Sequence, residues 1–188
     1  MLTHEIDPFL RELTSRFGPV RRLSDTTNTT IRSTKKDLDS IVQAVLGEFE
    51  ITSTHVVARV GNSCRGTESV ARITWREQSQ LVVAGKFEFR RIVVEFHAGF
   101  LKAVGSEHIA VATAKLVSRM LLRATSDPLR EELIAADILA MTRGFGAMYA
   151  TGHSYTDGPW FQRKRMSTSD LPPDEIGMII AKLAQDAK

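Results

Sequence analysis

The hydrophobic pattern of the chain changes its period in the middle, and this change limits the possible folds more than any other feature. Between residues 51 and 97, β-branched and aromatic residues alternate with polar ones, which is the pattern of half-buried strands. On either side, apolar residues recur every three or four positions, as they do in amphipathic helices. Strands grouped between helices are typical of an α+β fold, because a doubly wound parallel sheet alternates strands with helices.

We predict that the strand-rich region forms an antiparallel sheet of three to five strands, flanked by N-terminal and C-terminal helices packed mainly on one face. The clearest strand is the alternating run from Ala71 to Arg76. Between residues 86 and 96 the apolar residues change from odd to even positions. A β-bulge or bend near Arg90 and Arg91 would return both groups to a single buried face.

Helical periodicity predicts two helices before the sheet and three after it. The first begins at Asp7 and Pro8, a capping residue followed by proline, and the second carries an apolar stripe over residues 38–49. The polar stretch between them, residues 19–36, predicts a loop with at most one short edge strand. The later helices begin near Ser106, Asp127 and Pro173.

The length of 188 residues is that of one domain of ordinary size. We therefore predict a single α+β domain over residues 1–188. Its N-terminal helix and polar loop occupy residues 1–36, and its core occupies residues 37–143. A glycine-containing segment and the C-terminal helix follow at residues 144–188, where four glycines between 143 and 159 predict a break in the helix.

Composition excludes several classes of protein. No apolar run approaches the roughly 20 residues of a membrane-spanning helix, and the first residues lack a secretory signal, so we expect a cytoplasmic protein without a membrane partner. The single cysteine excludes an internal disulfide, and the five histidines show no metal-ligand spacing. We predict neither a metal site nor a cofactor. The net charge of +3 is too small to indicate nucleic acid by itself.

Basic residues nevertheless concentrate on elements whose other face is apolar. Arg72 and Arg76 fall on the solvent side of their strand, and Lys115, Arg119 and Arg123 are four apart on one helix face. Arg59 also falls on the solvent side of its strand, and further basic residues follow at Lys86, Arg90 and Arg91. Such surfaces neutralise phosphates, and neighbouring aromatic rings stack on bases. The alternative is that they are ordinary solvated faces, balanced by nearby acidic residues.

A lone cysteine offers the only candidate nucleophile. Cys64 lies in a turn-like segment between two glycines and is followed by Arg65, whose charge could lower the pKa of the thiol. A nucleophilic cysteine also needs a base, for which His97 and His153 are the candidates. The alternative is a small, inert cysteine, so Cys64 and His97 are no more than candidate catalytic residues.

These features together lead us to expect a small regulatory or interaction module that forms a homodimer. Its partner would be a protein or a nucleic acid, bound through the basic sheet and helix faces. The alternative is a small enzyme or ligand-binding protein with a pocket between sheet and helices. That pocket would be lined by Trp75, Phe87, Phe96, Tyr149 and Trp160. A continuous positive face favours the first hypothesis, and polar groups beneath an apolar pocket favour the second.

Overall fold

The computed structural model describes residues 3–61, 70–83, 86–125, 127–131, 134–157 and 164–186. The helices are α1 (Thr3–Phe17), α2 (Asp25–Ser33), α3 (Leu38–Glu48), α4 (Ala98–Ala103), α5 (Ser106–Ala124), α6 (Ala135–Ala140), α7 (Gly146–Gly152) and α8 (Pro173–Asp186). The strands are β1 (Ile51–Ser53), β2 (Val56–Gly61), β3 (Ala71–Val83), β4 (Lys86–His97), β5 (Ser154–Asp157) and β6 (Lys164–Ser167). A 3-10 turn at Pro128–Glu131 precedes α6, and a π-helical turn at Met141–Phe145 joins α6 to α7. The predicted α+β class is confirmed.

Strand β4 is the centre of a four-stranded sheet. β1 and β2 follow one another along one edge of β4, and both run parallel to it, whereas β3 lies antiparallel along the other edge. The prediction of an antiparallel sheet is therefore wrong. Alternation of apolar and polar residues shows which face a side chain occupies, but not the direction of the neighbouring strand. β2 and β3 pair with opposite edges of β4, so the neighbour of β2 is β4 and not β3, the next strand in sequence.

The β-bulge predicted in β4 is confirmed. The partner of β3 moves from Arg91, opposite Arg76, to Phe89, opposite Glu77, so that Arg90 is the extra residue. The Thr54 hydroxyl donates a hydrogen bond of 2.7 Å to the Arg90 carbonyl, which the disrupted ladder would otherwise leave unpaired. The apolar side chains on both sides of the bulge are consequently buried on one face: Phe87, Phe89, Ile92, Val94 and Phe96.

The main core lies between this apolar face and the helices. α3 contacts β1 and β2, and α5 contacts β3 as well as α3, α6 and α7, so α5 is the central helix. Met120 of α5 and Leu139 of α6 are fully buried, whereas Trp75 of β3 is half-buried at the sheet. Within the described ranges, no helix combines the length and apolar character needed to cross a bilayer.

Helix α2 occupies part of the polar stretch predicted as a loop, which corrects that prediction. The Ser24 hydroxyl caps it by accepting a hydrogen bond of 3.2 Å from the Thr27 N–H. Ile31 is the one apolar residue in the helix, and it is fully buried. A threonine-rich segment with a single apolar side chain shows no periodicity, so burial and capping outweigh its weak helix propensity.

The predicted break after α6 takes the form of the π-helical turn. Gly144 has a φ of 100°, and a Cβ atom there would overlap the backbone of Leu23. The glycine thus lets the chain at residues 21–23 approach the turn, where the Arg21 N–H donates a hydrogen bond of 2.8 Å to the Thr142 carbonyl. Beyond α7, β5 and β6 form a small antiparallel sheet that the sequence did not predict, since four-residue strands are too short to show alternation.

Candidate functional site

The face of the sheet opposite the helices is exposed and basic. Beyond the bulge, strand register places eight side chains of β2, β3 and β4 on it, and we call this set the outer sheet face: Val57, Arg59, Arg72, Thr74, Arg76, Arg91, Val93 and Glu95. Before the bulge, Glu88 of β4 and Thr52 of β1 continue the same side of the sheet. All four arginines are exposed, and they come from three adjacent strands. With only one carboxylate among them, these residues give the outer sheet face three net positive charges.

Glu95 neutralises one end of this face. It lies between Arg59 and Arg72 in the sheet register, and only 5% of its side chain is exposed. Its Oε2 is 2.8 Å from Nη2 of Arg59, and its Oε1 is 3.6 Å from Nη2 of Arg72. The carboxylate extends over Gly61, where a Cβ atom would overlap it. Arg59 and Arg72 therefore share the negative charge of Glu95.

Arg76 and Arg91 lie directly opposite each other at the other end of the outer sheet face. Neither guanidinium forms an ion pair with a carboxylate that the structure describes. Like charges directly opposite on neighbouring strands destabilise a sheet. A hollow of about 250 Å³ lies over this end of the outer sheet face, and its lining includes Arg59, Thr74, Arg76, Arg91 and Val93. The side chain of Trp75, in register with the buried Ile92, packs against the core on the other side of the sheet. An anion in this hollow would relieve the repulsion, so the arrangement is suited to anion binding.

The predicted basic stripe on α5 is not one exposed surface. Lys115 is only 8% exposed, and its Nζ lies 2.9 Å from Oδ2 of Asp170 and 3.5 Å from Oδ2 of Asp137. Arg119 lies 2.6 Å from the same Asp170 oxygen, while Arg123 is exposed. Lys115 is therefore inaccessible to a phosphate, and the charge of Arg119 is already matched.

Lys115 and Arg119 belong to one charge cluster, which is buried at Lys115, Asp137 and Tyr149 and reaches the surface at Arg119 and Asp170. We call these five residues the buried charge cluster. The Asp137 carboxylate accepts hydrogen bonds from the Tyr149 hydroxyl at 2.8 Å and from the Asp170 N–H at 2.7 Å. Burial raises the pKa of Asp137, whereas the Lys115 charge and these hydrogen bonds act to lower it. Burial and the Asp137 charge also raise the pKa of Tyr149 well above its usual value, so Tyr149 remains a donor. The cluster joins α5, α6, α7 and the segment before α8.

Of Cys64 and His97, the candidate catalytic residues, the structure describes His97 alone. Cys64 lies outside the described residues, as does Trp160 of the predicted pocket. His97 is exposed at the end of β4, and its Nδ1 accepts a hydrogen bond of 3.2 Å from the Gly99 N–H, which caps α4. Phe96 and Tyr149, also expected to line the pocket, are fully buried in the core.

Sequence reasoning missed the buried arginine of the π-helical turn. Arg143 is 3% exposed, and its Nη1 has no hydrogen-bond partner among the described residues. Burial and the charge of Arg21 lower the pKa of Arg143, while the charge of Glu50 raises it. The one sequence signal was a basic residue beside Gly144 at the end of an apolar helix.

Comparison with protein-family models, with curated proteins and with solved structures finds no match for this chain. Its function therefore has to be inferred from the geometry of the chain itself.

Proposed function

We propose that this protein is a nucleic-acid-binding module that holds the phosphates of a single strand on its outer sheet face. The observation that supports this proposal is the pairing of Arg76 with Arg91 across β3 and β4, without a described carboxylate to neutralise either one. A phosphate between the two guanidinium groups would replace their repulsion with two charge-assisted hydrogen-bonded contacts.

The shape of the outer sheet face favours a nucleic acid over a simple anion. The three net charges lie along an open face, which suits a chain of phosphates better than one small ion. A single strand can expose its bases to such a face, whereas duplex recognition places a helix or ribbon in a groove.

The proposal assigns phosphate binding to Arg59, Arg72, Arg76 and Arg91. It retains two of the five residues predicted from sequence, Arg72 and Arg76. Lys115 is left out because it is buried, and Arg119 because the two cations are matched by two carboxylates, Asp137 and Asp170. Arg59 and Arg72 are kept because they are exposed and share a single carboxylate. Arg123 is exposed on α5, and we use it as a control.

Fluorescence anisotropy with a labelled single-stranded oligonucleotide of mixed sequence tests the proposal. Three net charges predict a log–log slope of affinity against salt of about −2, since each neutralised phosphate of a single strand contributes about −0.7. The double variant Arg76→Gln/Arg91→Gln should bind about tenfold or more weakly at low salt, with a slope reduced in magnitude by about 1.4.

A second double variant, Arg11→Gln/Arg123→Gln, removes the same charge from two exposed arginines outside the outer sheet face. Its affinity and salt slope should stay close to those of the unaltered protein. Equal losses in both double variants would show a general charge effect and contradict the proposed site. Absence of binding even at about 50 mM salt, where attraction to phosphate is strong, would contradict the function itself.

The cytoplasmic location and the homodimer expected from the sequence stay predictions that accompany this proposal. Light scattering after size exclusion should give twice the mass of the 20.9 kDa chain. Cell fractionation measures the location. If the protein is a monomer in solution, the homodimer prediction is wrong, but the outer sheet face is still available to a single strand.

A further inference from the structure

A cleft separate from the outer sheet face lies between the N-terminal segment and the C-terminal helices. Its volume is about 330 Å³, and we call it the basic cleft. It shares no lining residue with the outer sheet face. Its apolar walls come from Leu23, Met141, Met148, Ile180 and Leu183. Concave, mostly apolar sites with a few polar groups are typical of small-molecule binding.

The polar side chains of the basic cleft, which come from Arg21, Arg22, Asn28 and Arg32, all carry hydrogen-bond donors, and Arg21 is ion-paired with Glu50 at 3.1 Å. Asn28 and Arg32 lie one turn apart on the same face of α2, and Arg22 extends from the preceding segment. Arg32 forms an ion pair of 3.1 Å with Glu107, which lies outside the lining. The side chains of Arg22 and Asn28 have no partner within the described part of the chain, and no carboxylate is among the described lining residues.

The backbone conformation at Gly144 explains why basic and apolar side chains meet in this cleft. The positive φ of Gly144 lets the backbone at Arg22 and Leu23 lie against the π-helical turn. A hydrogen bond of 2.8 Å from the Arg21 N–H to the Thr142 carbonyl fixes this approach. The guanidinium of Arg22, which has no partner among the described residues, thereby lies at the edge of a wall formed by α7 and α8.

We propose that the basic cleft binds a small amphipathic anion. Its carboxylate or phosphate head would accept hydrogen bonds from Arg22, Asn28 and Arg32, and its apolar tail would contact Met148 and Ile180. A small, strongly hydrated ion would lose part of its hydration shell in the cleft, and the apolar side chains of the walls cannot replace those hydrogen bonds. The walls therefore disfavour such an ion. The excess of unmatched positive charge disfavours a neutral apolar molecule relative to an anion of the same length.

Titration calorimetry with four probes tests the proposal: octanoate, octyl phosphate, octanol and acetate. At least one amphipathic anion should bind about tenfold or more tightly than both octanol and acetate, which is a difference of about 1.4 kcal/mol. Comparison of octanoate with octyl phosphate identifies the preferred head group. Arg22→Gln should weaken the amphipathic anion about tenfold and leave octanol unchanged.

Two substitutions on α7 locate the binding. Ala147 and Ala150 are both exposed, but only Ala147 lines the basic cleft. Ala147→Trp should fill the cleft and abolish binding of the anion, while Ala150→Trp should leave it intact. Both variants should bind the oligonucleotide normally, so failure here is distinct from failure of the nucleic-acid proposal. Equal binding of octanol, no binding of either amphipathic anion, or equal effects of the two tryptophans would overturn the proposal.

Discussion

The buried charge cluster and the outer sheet face use the same basic residue types in opposite ways. In the cluster, Lys115 lies between Asp137 and Asp170, so each charge has an opposite charge close by. On the sheet, Arg76 faces Arg91. An unmatched charge in the interior is strongly destabilising, but water screens it at the surface, where it is tolerated at small cost. Unmatched charge on an exposed face therefore marks a candidate binding surface, whereas matched charge in the interior marks structure.

The largest effect is expected from the cluster. Asp137→Ala should lower the free energy of unfolding by about 3 to 5 kcal/mol, because it removes two buried hydrogen bonds and one of the two carboxylates near Lys115, which keeps Asp170 at 2.9 Å. It leaves the Tyr149 hydroxyl and the Asp170 N–H without the acceptor they use now. Urea denaturation measures this loss.

A double variant separates lost charge matching from lost packing. Lys115→Met/Asp137→Leu leaves no unpaired charge from this pair, so it should be more stable than Asp137→Ala. If Asp137→Ala lowers the free energy of unfolding by less than about 1 kcal/mol, the cluster does not support the fold. The proposed difference between the buried charge cluster and the outer sheet face would then be wrong.

An intermediate effect is expected at the edge of the cluster. Arg119→Gln should lower the free energy of unfolding by about 1 kcal/mol or less, because its side chain is 38% exposed and Asp170 keeps its contact with Lys115. Arg123→Gln, on the same helix and exposed, serves as the control in the same denaturation series. If Arg119→Gln lowers the free energy of unfolding as much as Asp137→Ala does, the partly exposed Arg119 contributes to stability like a buried residue.

The smallest effect, and one of opposite sign, is expected on the outer sheet face. Arg91→Glu should raise the free energy of unfolding by about 0.2 to 1 kcal/mol, because it turns a like-charge pair with Arg76 into an opposite-charge pair. The same variant should bind the oligonucleotide more weakly. Thermal unfolding beside Arg123→Glu measures the difference, and destabilisation by Arg91→Glu would contradict the described pairing.

Local patterns predicted the fold only where a local cause decides it. The parity change near Arg90 was enough to predict the bulge, because burial of one face is a local requirement. The parallel pairing of β1 and β2 depends on where the chain goes after β2, and alternation carries no such information. Helix α2 was missed because tertiary burial of Ile31, and not periodicity, supports it.

The same limit applies to the candidate site, where local patterns predict the face that a residue occupies but not its surroundings. The spacing of Lys115, Arg119 and Arg123 correctly places them on one helix face, but it cannot show whether that face is exposed. Whether the charges on this face are matched depends on Asp137 and Asp170, which lie far from α5 in sequence. The opposition of Arg76 and Arg91 likewise depends on the β3–β4 register across the bulge, which only the three-dimensional pairing defines.

The most direct test of the central claim is to map oligonucleotide binding by NMR, with a single-stranded oligonucleotide titrated into the isotope-labelled protein. The largest shifts should fall on Thr74, Arg76, Arg91 and Val93 of the outer sheet face. Lys115 and the rest of the buried charge cluster should remain unperturbed. Shifts confined to α5 around Arg119 and Arg123, or none at low salt, would contradict the claim that unmatched surface charge marks the binding site.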